Sequence, residues 1–115
     1  MATIEECRAA LDRFSGSLAR ADEGVRGVAA LDRSVSCHIT DLDHTFTGRL
    51  EGGRIRVDAV ALGPPAAKAD IRLRMAGDDL VAMVDGRLSF ARSWASGRIS
   101  LEAGFRDLLR LRALL

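Results

Sequence analysis

A strict alternation of apolar and polar residues from position 68 to position 75 constrains the fold more than any other feature. The apolar residues stand at the odd-numbered positions, Ala69, Ile71, Leu73 and Met75. The polar residues stand at the even-numbered positions, Lys68, Asp70, Arg72 and Arg74. Because successive side chains of a strand point to opposite faces, the segment predicts a β-strand with one buried and one solvated face. Such a strand must belong to a sheet whose apolar face is covered by other elements.

Four further segments predict strands of the same sheet. Their inward residues are expected to be Val35, Cys37 and Ile39 in the first strand, Phe46, Gly48 and Leu50 in the second, Ile55, Val57 and Ala59 in the third, and Ile99, Leu101 and Ala103 in the last. Gly52-Gly53 predicts a tight hairpin between the second and third strands, because both central positions of a type I′ turn need positive φ.

Helix signals lie on either side of these strands. Thr3 and Glu6 have the spacing of a capping box, and the apolar residues that follow recur every three or four positions, at Ile4, Cys7, Leu11, Phe14 and Leu18. This spacing predicts a long amphipathic first helix. Asp22 is expected to cap a short second helix over residues 23–28.

The second half of the chain predicts three more helices. Asp78 is expected to cap the first of them, which carries Leu80, Val81 and Val84 and ends at Gly86. Ser89 is expected to cap the next, which carries Phe90 and Trp94 and ends at Gly97. The final helix is expected to begin at Phe105. Helices around a mainly antiparallel sheet of about five strands predict an α+β fold.

Size and charge exclude several classes of function. The 115 residues fit one domain spanning positions 1–115. A net charge of +1 provides no broad positive field for nucleic acid. No run approaches the roughly 20 apolar residues needed to span a bilayer, and Glu5 and Glu6 occupy the place where a secretory signal would be basic. We therefore expect a cytoplasmic protein with Cys7 and Cys37 as reduced, buried thiols.

One cluster, made of Cys37, His38, Asp41, Asp43 and His44, has residue types that bind metals or act as acids and bases. Cys37 and His38 point to opposite faces of a strand and cannot easily ligate one ion. We therefore interpret the cluster as a polar turn and predict neither metal nor cofactor.

Other signs of catalysis are weak. Asp78 and Asp79 could act as an acid–base pair, but they also suit the cap and first turn of a helix, which is the interpretation we favour. The sequence has no nucleophile elbow, phosphate loop or dinucleotide-binding loop. With two histidines and no tyrosine, the chain is expected not to be an enzyme.

The C-terminal half resembles the sterol carrier protein 2 family in the order of its motifs. Residues 78–88 read as an aspartate-started helix that ends in Gly-Arg-Leu, and residues 95–99 read Ala-Ser-Gly-Arg-Ile before a strand. A strand carrying Ile71 and Leu73 precedes them, and a long helix precedes a three-stranded meander. The similarity is strongest over residues 69–115 and architectural over residues 1–62.

This resemblance implies a sheet covered by helices, with an apolar tunnel between the layers. Members of the family bind sterols, fatty acids, fatty acyl thioesters or phospholipids without transforming them, and related domains are accessory parts of larger enzymes. We expect the tunnel to be lined by Phe46, Leu50, Ile71, Leu73, Leu80, Val84, Phe90, Trp94, Leu101, Phe105 and Leu108.

The main hypothesis is a non-enzymatic module that binds or transfers a lipid-like molecule. The alternative is a ligand-free interaction module, a homodimer formed through the leucine-rich residues 108–115, or an accessory domain for a separate enzyme. Arg106, Arg110 and Arg112 alternate with these leucines, which is typical of a solvated helix face. Contact with a membrane surface is the alternative for these arginines, without stable insertion.

Overall fold

The computed structural model describes residues 2–19, 32–51 and 54–111. Within these ranges the elements are α1 (Ile4–Ala19), β1 (Arg33–Ile39), β2 (His44–Glu51), β3 (Arg54–Leu62), β4 (Ile71–Met75), α2 (Gly77–Val84), α3 (Phe90–Ala95), β5 (Ser100–Glu102) and α4 (Phe105–Leu111). The short helix expected over residues 23–28 and the Gly52-Gly53 turn lie outside the described residues.

The strands form one mixed sheet in the order β3-β2-β1-β4-β5. β1 and β4 run parallel, and the other neighbouring pairs are antiparallel. The connection from β1 to β4 is made by β2, β3 and the segment after β3, residues 63–70. The α+β fold and the mainly antiparallel sheet of five strands are thus confirmed.

The alternation of apolar and polar residues predicted correctly which residues of β1 and β4 face the core. Val35, Cys37 and Ile39 are buried, as are Ile71 and Met75. Because β1 and β4 pair in register, with Cys37 opposite Leu73, these residues form one continuous apolar surface. We call it the inner face, since α1 and α2 pack on it.

The prediction for β3 was wrong at Ala59. The β2–β3 register shifts between Thr47 and Gly48: Gly48 lies opposite Val57, whereas Thr47 lies opposite Ala59. The extra residue, Asp58, forms a β-bulge in β3. Beyond the bulge, each residue points to the face opposite to the one that strict alternation predicts. Val60 consequently packs against the core and Ala59 is exposed.

Local capping signals are confirmed at two helices. The Thr3 amide donates to Glu6 Oε1 at 3.2 Å, and the Glu6 amide donates to Thr3 Oγ1 at 3.1 Å. At α3 the Arg92 amide donates to Ser89 Oγ at 3.4 Å. Helices α2 and α3 are each followed by a glycine with positive φ, at Gly86 and Gly97.

The Asp78 cap of α2 was a wrong prediction. The N-cap residue is Ala76, whose side chain has no hydrogen-bonding group. Instead, the Gly77 amide donates to Asp41 Oδ1 at 2.9 Å, from the turn between β1 and β2. Asp78 and Asp79 lie in the first turn, where negative charge favours the helix. Asp79 also pairs with Arg98 at 2.8 Å, which connects α2 to the start of β5.

The core on the inner face has two parts. The first lies beneath α1 and α2 and contains Ala2, Cys7, Ala10, Leu11, Cys37, Ile39, Phe46, Met75, Leu80 and Ile99. The second contains Val35, Leu50, Ile71 and Leu101, at the opposite ends of β1 and β4. Leu73 and Phe90 contact both clusters. The apolar interior therefore runs along the length of the sheet.

Candidate functional site

A narrow cavity of about 50 Å³ lies on the inner face. It is enclosed by α1, four strands and α2, and its lining residues are Leu11, Phe14, Val35, Cys37, Phe46, Thr47, Gly48, Ile55, Arg56, Val57, Leu73, Met75, Leu80 and Met83. Inward-facing strand residues and the apolar faces of α1 and α2 supply most of this lining. We call this space the inner cavity.

The inner cavity is suited to apolar contact and poorly suited to acid–base chemistry. Among the described lining residues, Arg56 alone is charged at neutral pH, and its guanidinium pairs with Glu51 at 2.6 Å and with Asp58 at 2.7 Å. Burial raises the pKa of the Cys37 thiol to about 12, so this thiol is neutral. The lining contributed by the described residues is therefore mostly apolar, and its one charged group is already paired.

The inner cavity is small for a ligand-binding site. Sites for drug-sized ligands measure roughly 300–1,000 Å³, and the 50 Å³ here corresponds to a few water molecules. A chain-like ligand must therefore displace side chains as it enters. Met75 and Met83 are suited to this, because an unbranched thioether repacks with little strain.

The eleven residues expected to line a tunnel lie in four places: the inner cavity, the first cluster, the second cluster and the surface. Phe46, Leu73 and Leu80 line the inner cavity. Val84 packs against the first cluster. Six others belong to the second cluster or contact it: Leu50, Ile71, Phe90, Trp94, Leu101 and Leu108. The ring centroids of Phe90 and Trp94, which are four residues apart on α3, are separated by 6.0 Å. The remaining residue, Phe105, lies apart from both clusters.

The side chain of Phe105 is on the surface, with 75% of the residue exposed. Asp107 faces inward and accepts a hydrogen bond from Arg33 Nε at 2.9 Å. Residues two apart on a helix differ in direction by about 200°. The ion pair that holds α4 against β1 therefore turns Phe105 away from the interior.

Several residues of the inner cavity were not predicted as site residues from the sequence. Leu11, Phe14, Val35, Ile55 and Val57 had been assigned to inward faces but not to a site. The sequence indicated these residues only through the regular spacing of apolar positions. Such spacing does not distinguish the wall of a cavity from a packed core.

The polar cluster after β1 is engaged in structural contacts. His38 Nε2 lies 3.0 Å from Asp43 Oδ1, His44 Nδ1 donates to the Leu42 carbonyl oxygen at 2.6 Å, and Asp41 holds the start of α2. In the described ranges, no three His, Cys, Asp or Glu residues come together as ligands for a metal ion.

Among residues 2–19, 32–51 and 54–111, no helix combines the length and hydropathy required to cross a membrane.

Comparison with known proteins identifies one family. A family model described as "SCP-2 sterol transfer family" matches residues 9–115. No curated protein matches the sequence.

Solved structures with this fold include two carrier proteins. The crystal structure of sterol carrier protein 2 has a TM-score of 0.63 and 16% identity, covering 92% of this chain and 88% of that one. Sterol carrier protein 2 like 2 from Aedes aegypti has a TM-score of 0.62 and 16% identity, covering 96% of each chain. Identities this low establish a common fold only.

A third structure with this fold is an enzyme. The stereoselective inverting sec-alkylsulfatase Pisa1 from Pseudomonas sp. has a TM-score of 0.56 and 20% identity over 90% of this chain. This chain spans only 16% of the length of that enzyme.

Proposed function

Because the chain belongs to the SCP-2 sterol transfer family, for which lipid binding or transfer is the general function, we propose that it binds an elongated apolar molecule on the inner face of its sheet without transforming it. The proposed ligand class is a fatty acid, a fatty acyl thioester or a sterol-like molecule. A cytoplasmic location remains part of this proposal.

The observation that carries the proposal is the apolar lining of the inner cavity and its continuity with the second cluster. Leu73 lines the cavity and, like Phe90, contacts both clusters. A chain-like ligand that enlarges the cavity would follow this row of side chains toward Ile71, Leu101 and Trp94. Ten of the eleven residues predicted from the sequence then lie along its path or beside it, and Phe105 does not.

The free energy for binding and for widening the cavity comes from burial of the ligand's apolar surface. Removing about 400 Å² of apolar ligand surface from water contributes on the order of 10 kcal/mol before the costs of association and side-chain ordering. Widening is easiest if the ligand selects a minor, expanded state of the protein. We therefore expect loose discrimination between ligands of similar length.

The proposal is tested by filling the cavity. Val57→Phe places a ring in the lining, and Leu62→Phe places the same ring at a position that is 75% exposed. Native mass spectrometry with added palmitic acid is expected to detect a 1:1 complex for the wild type and Leu62→Phe, and at least tenfold less complex for Val57→Phe. Equal binding by folded Val57→Phe would contradict the location of the site.

A second candidate function is homodimerisation through α4. Phe105 and Leu109 are four residues apart on one helix face, and both are exposed, at 75% and 54%. Native mass spectrometry of protein purified without lipid extraction separates the two candidates. A monomer that carries extra mass removable by organic solvent supports the lipid carrier, whereas an empty, tight dimer supports the interaction module.

An accessory role for a separate enzyme is the third candidate. It is motivated by the alkylsulfatase, in which the matching region is a small part of a much longer chain. An activity that appears only when this chain is added to a partner enzyme would favour it.

A further inference from the structure

A second cavity, of about 280 Å³, lies on the opposite face of the sheet, and we call it the outer cavity. Pro64 and Pro65, from the segment that follows β3, form one of its walls. The rest comes from Leu73 and from two rows of side chains that cross β1, β4 and β5. One row is Ser36, Arg72 and Glu102, and the other is His38, Arg74 and Ser100.

The buried hydroxyl group of Ser36 has no hydrogen-bond partner among the described residues. Ser36 is 0% exposed and lines the outer cavity, and its Oγ is the one buried side-chain polar atom of the described residues that lacks a partner. A hydroxyl that is removed from water and left unbonded lowers the stability of the fold. A ligand oxygen in the outer cavity would restore the missing hydrogen bond.

Within the part of the chain that the structure describes, one cation beside the outer cavity, Arg74, has no charged partner. Arg72 donates to Glu102 Oε2 at 3.3 Å and to the Ala69 carbonyl oxygen at 3.0 Å. His38 is held by Asp43 at 3.0 Å. Arg74 lies between His38 and Ser100 in the sheet register, and it has neither an ion pair nor a side-chain hydrogen bond with the described residues. A free guanidinium suits a carboxylate or phosphate group, which it can bind through two parallel hydrogen bonds.

From these observations we propose that the outer cavity binds a small organic anion, with its carboxylate or phosphate group on Arg74 and with Ser36 Oγ donating to one of its oxygens. The apolar part of the ligand contacts Pro64 and Pro65. This site lies on the opposite side of the sheet from the inner cavity, so it does not depend on the proposed lipid function.

The test is an amide chemical-shift titration of the whole chain with three probes of similar shape. Benzoate and phenyl phosphate carry the two anionic groups, and benzamide is their neutral counterpart. At least one anion is expected to give saturable shifts at Ser36, Arg74 and Ser100 with a dissociation constant below about 10 mM, and benzamide is expected to give none. Equal shifts with benzamide, no saturation, or shifts only at the inner cavity would overturn the proposal.

Two variants test the roles of Arg74 and Ser36. Arg74→Gln is expected to weaken anion binding about tenfold or more, since it removes charge-assisted hydrogen bonds. Arg54→Gln is the matched control, because Arg54 is an exposed arginine on β3 that does not line the outer cavity. Equal weakening by both substitutions would indicate a general charge effect and overturn the site.

Ser36→Ala separates binding from stability. Removing an unbonded buried hydroxyl is expected to leave the urea midpoint unchanged or raised, while anion affinity falls about fivefold. A lowered midpoint with unchanged affinity would overturn the role given to Ser36.

Discussion

Gly48 lies where β2 meets the bulge of β3, and its lack of a side chain allows the two strands to approach closely. A Cβ at this position would overlap the carbonyl oxygen of Arg56 and press on Val57 Cα. These atoms belong to the backbone of a paired strand and cannot move as a flexible side chain would. The bulge therefore needs glycine at position 48, and the bulge in turn brings Val60 to the core.

Gly48→Ala is expected to lower the free energy of unfolding by at least about 2 kcal/mol, because the added methyl group forces the two strands apart. Gly104→Ala is the control, since a Cβ there meets no atom within 4 Å and the φ of Gly104 is not in the left-handed region. Urea denaturation should show a change within about 0.5 kcal/mol for the control. Similar midpoints for the two variants would mean that the strands are not so close.

The two thiols give the protein a specific response to alkaline pH. Burial raises the pKa of Cys37 to about 12, and burial together with the nearby Asp41 carboxylate raises the pKa of Cys7 to about 11. An unfolded thiol loses its proton near pH 8.5. Between these values the folded chain retains protons that the unfolded chain releases, so stability falls as pH rises.

We predict that the free energy of unfolding falls by about 1–2 kcal/mol per thiol between pH 8 and pH 10. The chain has no tyrosine and a single lysine, so few other groups titrate in this range. The measurement is urea denaturation at both pH values, with Cys7→Ala/Cys37→Ala as the comparison. The double variant should have a flatter pH dependence, whatever its absolute stability, and an equal slope would rule out the thiols as the cause.

At the scale of elements, the β1–β2 turn and α2 are joined by a contact between residues far apart in the sequence. Asp41 Oδ1 accepts the Gly77 amide at 2.9 Å, and the Thr40 amide donates to the Met75 carbonyl oxygen at 2.9 Å. Together they fix the start of α2 beside the ends of β1 and β4. This position sets where Leu80 and Met83 meet the inner cavity.

Asp41→Ala should lower the free energy of unfolding by about 1 kcal/mol, the usual effect of losing an N-terminal helix cap. Hydrogen exchange of the first amides of α2 should accelerate as well. Asp12→Ala is the control, because Asp12 is exposed on α1 and forms neither an ion pair nor a side-chain hydrogen bond within the described ranges. Equal exchange rates in the two variants would show that Asp41 does not hold the helix.

Elements with strong local signals were predicted well from the sequence. The alternation of β1 and β4, the Thr3–Glu6 box and the Ser89 cap depend on residues close together in the chain. The Asp78 cap failed because the true acceptor, Asp41, is 36 positions away. Ala59 was misplaced because a bulge depends on the partner strand, which a period of two does not describe.

At the scale of the whole molecule, a single sheet separates an apolar cavity from a polar one. The inner face was predictable because hydrophobic periodicity identifies what must be buried. Phe105 was expected in the lining of the tunnel that the family resemblance implies, but the Arg33–Asp107 ion pair that turns it outward joins residues 74 positions apart. The outer cavity had no sequence signal, since polar residues on a strand are expected to face water.

The central claim is that an apolar acyl chain binds on the inner face of the sheet, in the inner cavity. It is tested most directly by isotope-filtered nuclear Overhauser spectra of the protein with ¹³C-labelled palmitic acid. We predict contacts from the acyl chain to methyl groups of Leu11, Leu73, Leu80 and Met83, which line the inner cavity. Contacts confined to the exposed Leu62 and Leu109, or no contacts at saturating palmitic acid, would contradict it.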